Sequence, residues 1–276
     1  MNLRSSIAAA AAVAVLSACA STVDVPPVRP FAFLDVNTVS AAGSSSGYIA
    51  QAQGIFTKAR IAGIIGSNDL AESCSPPAKI GSIVAVTDVP VEPGTVTMTL
   101  HGNVDTTTRT VTLRHQVLTI GDNWVNDQFP AMRPGTDTVI YKATGVAGAF
   151  PPFTVRAPTV APYTAQSVDD SVTGPGIRVQ WTASPNTASA MQIALQYADT
   201  SSTSPSTIPT REIVCIARDD GDFSINRSFV DEWQAAGVDS LNYRRQIVFS
   251  RFLTTSSTVN DAILAIVVRR DTLIVK

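Results

Sequence analysis

"GTVTMTLHGNV" (residues 94–104) and "TRTVTLRHQVL" (residues 108–118) decide the fold class. In the first, Val96, Met98 and Leu100 share one face, while Thr95, Thr97, Thr99 and His101 share the other. In the second, Val111, Leu113, His115 and Val117 align against Thr112, Arg114 and Gln116. Successive side chains of an extended chain point to opposite sides, so this period of two marks strands with one buried face. Asn103, Val104, Asp105 and Thr106 lie between the two runs and read as the connection of a hairpin. By the same alternation His101 points outward and His115 inward.

The pattern recurs outward in both directions. Strands are expected at "KIGSIVAVTDV" (79–89), "DTVIYKATGV" (137–146) and "FTVRAP" (153–158). Pro158 and Pro162 punctuate "RAPTVAPYTAQ", which places a linker and a domain boundary there. Beyond it, "IRVQWTASP" puts Ile177, Val179 and Trp181 on one face, and "SAMQIALQYADT" does so with Met191, Ile193, Leu195 and Tyr197. Ile213 to Ile216 are apolar on both faces and read as a central strand that turns at Asp219–Asp222. A single helix is expected at "NRSFVDEWQAAG", with Asn226 or Ser228 as N-cap and Gly237 as the stop. The closing segments "YRRQIVFSRFL" and "DAILAIVVRRDTLIVK" are strands again.

Composition agrees with an all-β chain rich in turns, since Thr, Ser, Val, Gly and Pro abound. With 20 basic and 22 acidic residues the formal net charge is −2, and charged residues make up 15% of the chain, which gives no electrostatic case for nucleic acid.

Residues 1–18 have the layout of a secretory leader: Arg4, an apolar stretch from Ile7 to Leu16, then small residues. Leu16-Ser17-Ala18-Cys19 resembles the bacterial lipobox. The resemblance implies that Cys19 becomes a lipidated mature N-terminus, and Ala20 after it resembles an outer-membrane sorting pattern. Several acyl chains hold a protein to a bilayer far more firmly than one. Residues 19–30, which contain "STVDVPPVRP", then form a tether. Two cysteines remain, Cys74 and Cys215, an even pair in a compartment where disulfides persist. Lying 141 residues apart in sequence, they would staple the two halves together.

The strands around Trp181 resemble a segment of fibronectin-III or immunoglobulin-like sandwiches. The organisation expected is therefore a leader (1–18), a lipidated tether (19–30), and two consecutive immunoglobulin-like β-sandwich domains (31–160 and 161–276), with one short helix in the second.

Candidate chemistry is sparse. His101 and His115 are the only histidines, and no carboxylate or cysteine stands at an i, i+2 position to complete a zinc set. Asp219, Asp220 and Asp222 crowd around Gly221; a hard cation such as calcium selects such carboxylates, but an Asp-Gly hairpin turn is the preferred assignment. "GSSSG" (43–47) matches a nucleophile elbow only in spacing and reads as a loop before the first good strand. Asp169-Asp170 reads as a turn. Trp124, flanked by Asn123 and Asn126 in a loop-like stretch, has the makings of a sugar platform if it is exposed, because a ring face stacks on a pyranose while amides bond its hydroxyls, but a loop Trp folded back to plug the end of the sandwich is the preferred assignment.

The sequence thus points to a non-enzymatic, cell-envelope lipoprotein without cofactor. It would be anchored in the outer membrane, facing the periplasm or the surface, and act in adhesion, assembly or presentation toward a protein or glycan partner. The alternatives are a carbohydrate- or peptide-binding module centred on Trp124 and a hydrolase with an unrecognised site between domains.

Overall fold

The computed structural model describes residues 27–60, 67, 70–75, 89–118, 121–169, 176–199, 213–234 and 243–275. The leader, Cys19 and the expected strand over 79–88 lie outside the described residues. The described chain is all-β apart from one helix. It divides into two compact units, and neither is a continuous stretch of sequence.

The first unit comprises residues 1–67, 83–161 and 253–270. One of its layers runs β17-β1-β2-β8-β7, built from the first part of Ala262–Val275, Val28–Ser40, Tyr48–Arg60, Gly121–Val125 and Arg114–Leu118. A two-residue strand β4 (Val89–Pro90) pairs with β2. The other layer is the four-stranded sheet β10-β9-β5-β6, from Phe153–Pro158, Asp137–Ala143, Val96–Gly102 and Thr108–Thr112. Between them lies one core, in which Leu34 and Val36 of β1 meet Met98 and Leu100 of β5, Tyr141 of β9, and Leu264 and Ile266 of β17. Each such side chain taken fully out of water contributes about 1.5–3 kcal/mol, which is why the alternating faces select this pairing of layers. The two long strands β1 and β2 form an antiparallel hairpin around "GSSSG", whereas β1 and β17 run parallel, with Phe31 opposite Ile263 and Thr38 opposite Arg270.

The second unit comprises residues 68–82, 162–252 and 271–276. Its layers are β3-β14-β13-β16, from Ser73–Ser75, Ile213–Arg218, Ala190–Asp199 and the first part of Tyr243–Val259, and β11-β12-β15, from Ala165–Asp169, Gly176–Trp181 and Asp222–Asn226. Ile177, Val179 and Trp181 face Met191, Ile193 and Leu195 across the core, with Ile247 and Phe249 of β16. Helix α1 (Arg227–Gln234) adds Val230 and Trp233 to this core. Its first turn is capped by Asn226, whose Oδ1 accepts from the Ser228 amide at 3.0 Å.

Four expectations are corrected. The tether ends earlier than residue 30, because Val28, Arg29 and Pro30 already pair with Arg60, Ala59 and Lys58. "GSSSG" follows the first long strand instead of preceding it. The division at 160/161 falls one residue from a unit boundary, but the domains are not consecutive: residues 68–82 belong to the second unit and 253–270 return to the first. Finally, Asp219–Asp222 is no hairpin turn. Strand β14 pairs with β13 and β3, whereas β15 pairs with β12, so the turn carries the chain from one layer to the other.

Candidate functional site

Trp124 is buried, as the preferred assignment of a Trp folded back onto the sandwich requires, and the alternative of a sugar platform is ruled out by its packing. It lies on strand β8, 4% exposed, with its ring edge-on to Phe56 at 5.1 Å and stacked by His115 at 4.6 Å. Asn123 and Asn126 are buried beside it. Asn126 Oδ1 accepts from the Ala52 amide at 2.8 Å, and its Nδ2 donates to the Ala50 and Gln128 carbonyls at 3.1 and 2.7 Å. A buried amide with three partners locks β8 to β2 and has little capacity left for a ligand. His115, expected inward, is exposed on β7, with Nε2 3.5 Å from an Asp122 carboxylate oxygen. Strand β6 ends at Thr112 and β7 begins at Arg114 in another sheet, so the alternation restarts at Leu113. His101 is half-buried on β5. The two histidines therefore stand in different sheets.

The acids around Gly221 do not converge on a common point. Asp219 turns inward and is 9% exposed. Its two oxygens accept from Arg251 Nη2 at 2.8 Å, Trp181 Nε1 at 2.8 Å and Ser189 Oγ at 2.7 Å, and Arg251 Nε completes the ion pair 2.7 Å from the carboxylate. Arg251 is fully buried, donates also to the carbonyls of Pro162 and Thr182, and lies over the Tyr163 ring. Asp222 pairs instead with Arg178 at 2.7 Å, and that guanidinium holds its carboxyl below the usual carboxylate range. Asp220 is exposed. Among the described residues no group of three His, Cys, Asp or Glu side chains is placed to hold a metal ion.

Cys74 and Cys215 form a disulfide between directly opposed positions of β3 and β14. Both belong to the second unit, so the bond closes that unit on itself and does not staple two halves. The serines of residues 43–47 are spent on the turn: Ser44 Oγ and Ser46 Oγ both donate to the Tyr48 carbonyl, at 2.7 and 2.9 Å. A depression of about 420 Å³ opens between this turn and Phe129, lined by alanine, glycine, serine and Ile49.

What the single-strand reading misses is a surface. The outward positions of the four-stranded sheet stand in register as three rows. Thr154, Lys142, Thr97 and Thr112 form the first; Arg156, Ile140, Thr99 and Thr110 the second; Pro158, Thr138, His101 and Thr108 the third. Neighbouring strands lie about 4.8 Å apart, so the rows make a regular lattice of hydroxyl and methyl groups. Thr99 and Thr110 share a hydrogen bond of 2.9 Å across two strands. Lys142 and Arg156 are exposed and have no carboxylate partner among the described residues. Every ionisable outward side chain in the three rows is basic or imidazole.

The acids at the end of this sheet are already engaged. Asp137, beneath the face, holds Arg109 at 2.7 Å. Asp105, in the β5–β6 turn, pairs with Arg133 at 2.5 Å. Bonds from the Thr107 hydroxyl and amide, with Arg133 nearby, hold the Asp105 carboxyl below the ordinary carboxylate range. The signal was present in the Thr-x-Thr spacing of residues 95–99 and 108–112, but only the register brings Lys142 and Arg156 alongside.

No protein-family model matches the chain, and no curated protein resembles it closely enough to count as a match.

Proposed function

We propose that this chain is a lipid-anchored, non-enzymatic protein of the bacterial cell envelope that works through surface contact, in adhesion, assembly or presentation. The observation that carries the reading is the Cys74–Cys215 disulfide, set at opposed positions of two paired strands. Such bonds persist outside the reducing cytosol, which is where a leader ending in Leu16-Ser17-Ala18-Cys19 would deliver the chain. The buried carboxylates among the described residues add support, since each serves a structural arginine: Asp35 with Arg269, Asp137 with Arg109 and Asp219 with Arg251.

The test is to express the full chain in a bacterium fed an alkyne-bearing palmitate analogue. Label should enter the wild-type protein, which should sediment with membranes, while Cys19→Ser should lose both label and membrane association. An unlabelled wild-type protein that is recovered soluble, with residues upstream of Cys19 still attached, would overturn the anchor.

A further inference from the structure

We infer that the outer face of the β10-β9-β5-β6 sheet binds an anionic polysaccharide, an inference that rests on the surface-contact function above and names its ligand. Four observations lead there. The first is shape: the outward residues of four strands stand in three aligned rows, a face suited to an extended polymer and not to a compact small molecule, which needs a concave site.

The second is chemistry. Seven of the twelve positions in those rows are threonine (Thr97, Thr99, Thr108, Thr110, Thr112, Thr138 and Thr154), so hydroxyls that both donate and accept repeat along and across the strands. A polyhydroxylated chain can exchange its bonds to water for bonds to such a lattice at several points.

The third is charge. The protein carries a net charge of −2, yet this face presents Lys142, Arg156 and the imidazole of His101 with no outward acid in its rows. The carboxylates at its margin are neutralised by Arg109 and Arg133. Both cations lie to one side of the lattice, on β9 and β10, and are one residue row apart. An acidic group on every second or third sugar would meet them while the intervening hydroxyls lie over the threonines.

The fourth is what the face does not resemble. Protein-binding patches centre on well-packed aromatic and other large apolar anchors, and single-stranded nucleic acid wants aromatic stacking platforms. The three rows hold two aliphatic residues, Ile140 and Pro158, and no aromatic carbocycle.

The experiment uses the full-length protein in detergent micelles, with polygalacturonate as the acidic polymer, dextran as the neutral one, and phosphatidylglycerol vesicles as an anionic surface without sugar polymer. Binding is read by calorimetry and by affinity electrophoresis. Polygalacturonate should bind, dextran should bind at least about tenfold more weakly, and affinity should fall as salt rises, because the contribution of exposed charges is screened. Lys142→Glu/Arg156→Glu should abolish binding, and Thr99→Ala/Thr110→Ala should weaken it about tenfold with the salt dependence retained. All four side chains lie outside the core, and an unchanged melting temperature will show that the variants are folded.

Equal binding by the charge-reversal variant would overturn the inference for this face. Failure of the wild type to bind polygalacturonate, or tighter binding to the vesicles, would also overturn it. None of these three outcomes touches the fatty-acid labelling of Cys19, which tests the envelope reading separately.

Discussion

Asp219 shows how one side chain can look like a ligand and work as a rivet. In sequence it is one of three acids around a glycine; in the fold it accepts from Arg251, Trp181 and Ser189 inside a core from which water is excluded. Removing one member of a buried pair leaves the other charge desolvated without compensation, at a cost of about 3–5 kcal/mol. Asp219→Ala should therefore lower the urea midpoint steeply, and Arg251→Met combined with it should restore part of the loss. A single variant as stable as wild type would show that the pair is not buried as described. Tyr141 offers a second test. Burial first, and the Asp35 charge second, push its phenol well above the ordinary tyrosine range, while its hydroxyl donates to the Asp35 carbonyl at 2.8 Å. A raised pKa in the folded state gives a contribution fully present below the unfolded value of about 10 and lost as pH climbs through the folded one. Stability should thus decline above about pH 10, and Tyr141→Phe should flatten that decline; an unaltered slope would refute the assignment.

At the scale of elements, turns and crosslinks do what propensity cannot. Gly221 adopts φ +103, and a Cβ there would come within 2.9 Å of the Trp181 carbonyl, so only glycine allows the chain to pass from β14 to β15 at this point. Strand β3 has three residues, and its register on β14 is pinned by Cys74–Cys215. Closing so long a loop restricts the unfolded chain, and native disulfides contribute about 2–4 kcal/mol. The double substitution Cys74→Ser/Cys215→Ser should lower stability by an amount in that range in urea unfolding, and reductant should do the same to the wild type and nothing to the variant. A wild type indifferent to reductant would contradict the bond.

For the whole molecule the decisive feature is the return of the chain. Residues 253–270 belong to the first unit, where β17 pairs with β1 in parallel and Arg269 Nε reaches Asp35 at 3.1 Å. A fragment of residues 27–161 has most of the first unit's sequence but lacks that strand. Ala32, Leu34 and Val36 would lose Leu264, Ile266 and Val268 from their shared core. The fragment should show no cooperative melt by near-ultraviolet circular dichroism, whereas the full chain should. Co-expressing residues 253–276 with it should recover part of the transition. A fragment that folds alone would show that the unit does not need its last strand.

The sequence by itself determined much at short range: the alternating faces of β5, β9, β10 and β12, the hairpin around residues 103–106, and the helix that starts at Asn226 or Ser228, of which the fold uses Asn226 as the cap. Those properties depend on neighbours within a few residues, where periodicity and capping chemistry operate. The same local logic failed at His115 and Trp124. A strand break at Leu113 resets parity without any sequence mark, and polar neighbours suggest a loop until Asn126 is seen to spend its amide on the backbone of β2. Tertiary structure alone decided which strands pair, that Asp35 meets Arg269 across 234 residues of chain, and that threonines and cations from separate strands stand in common rows. Pairing at such distances is set by how the whole chain buries its apolar faces at once, and no local window of sequence contains that balance.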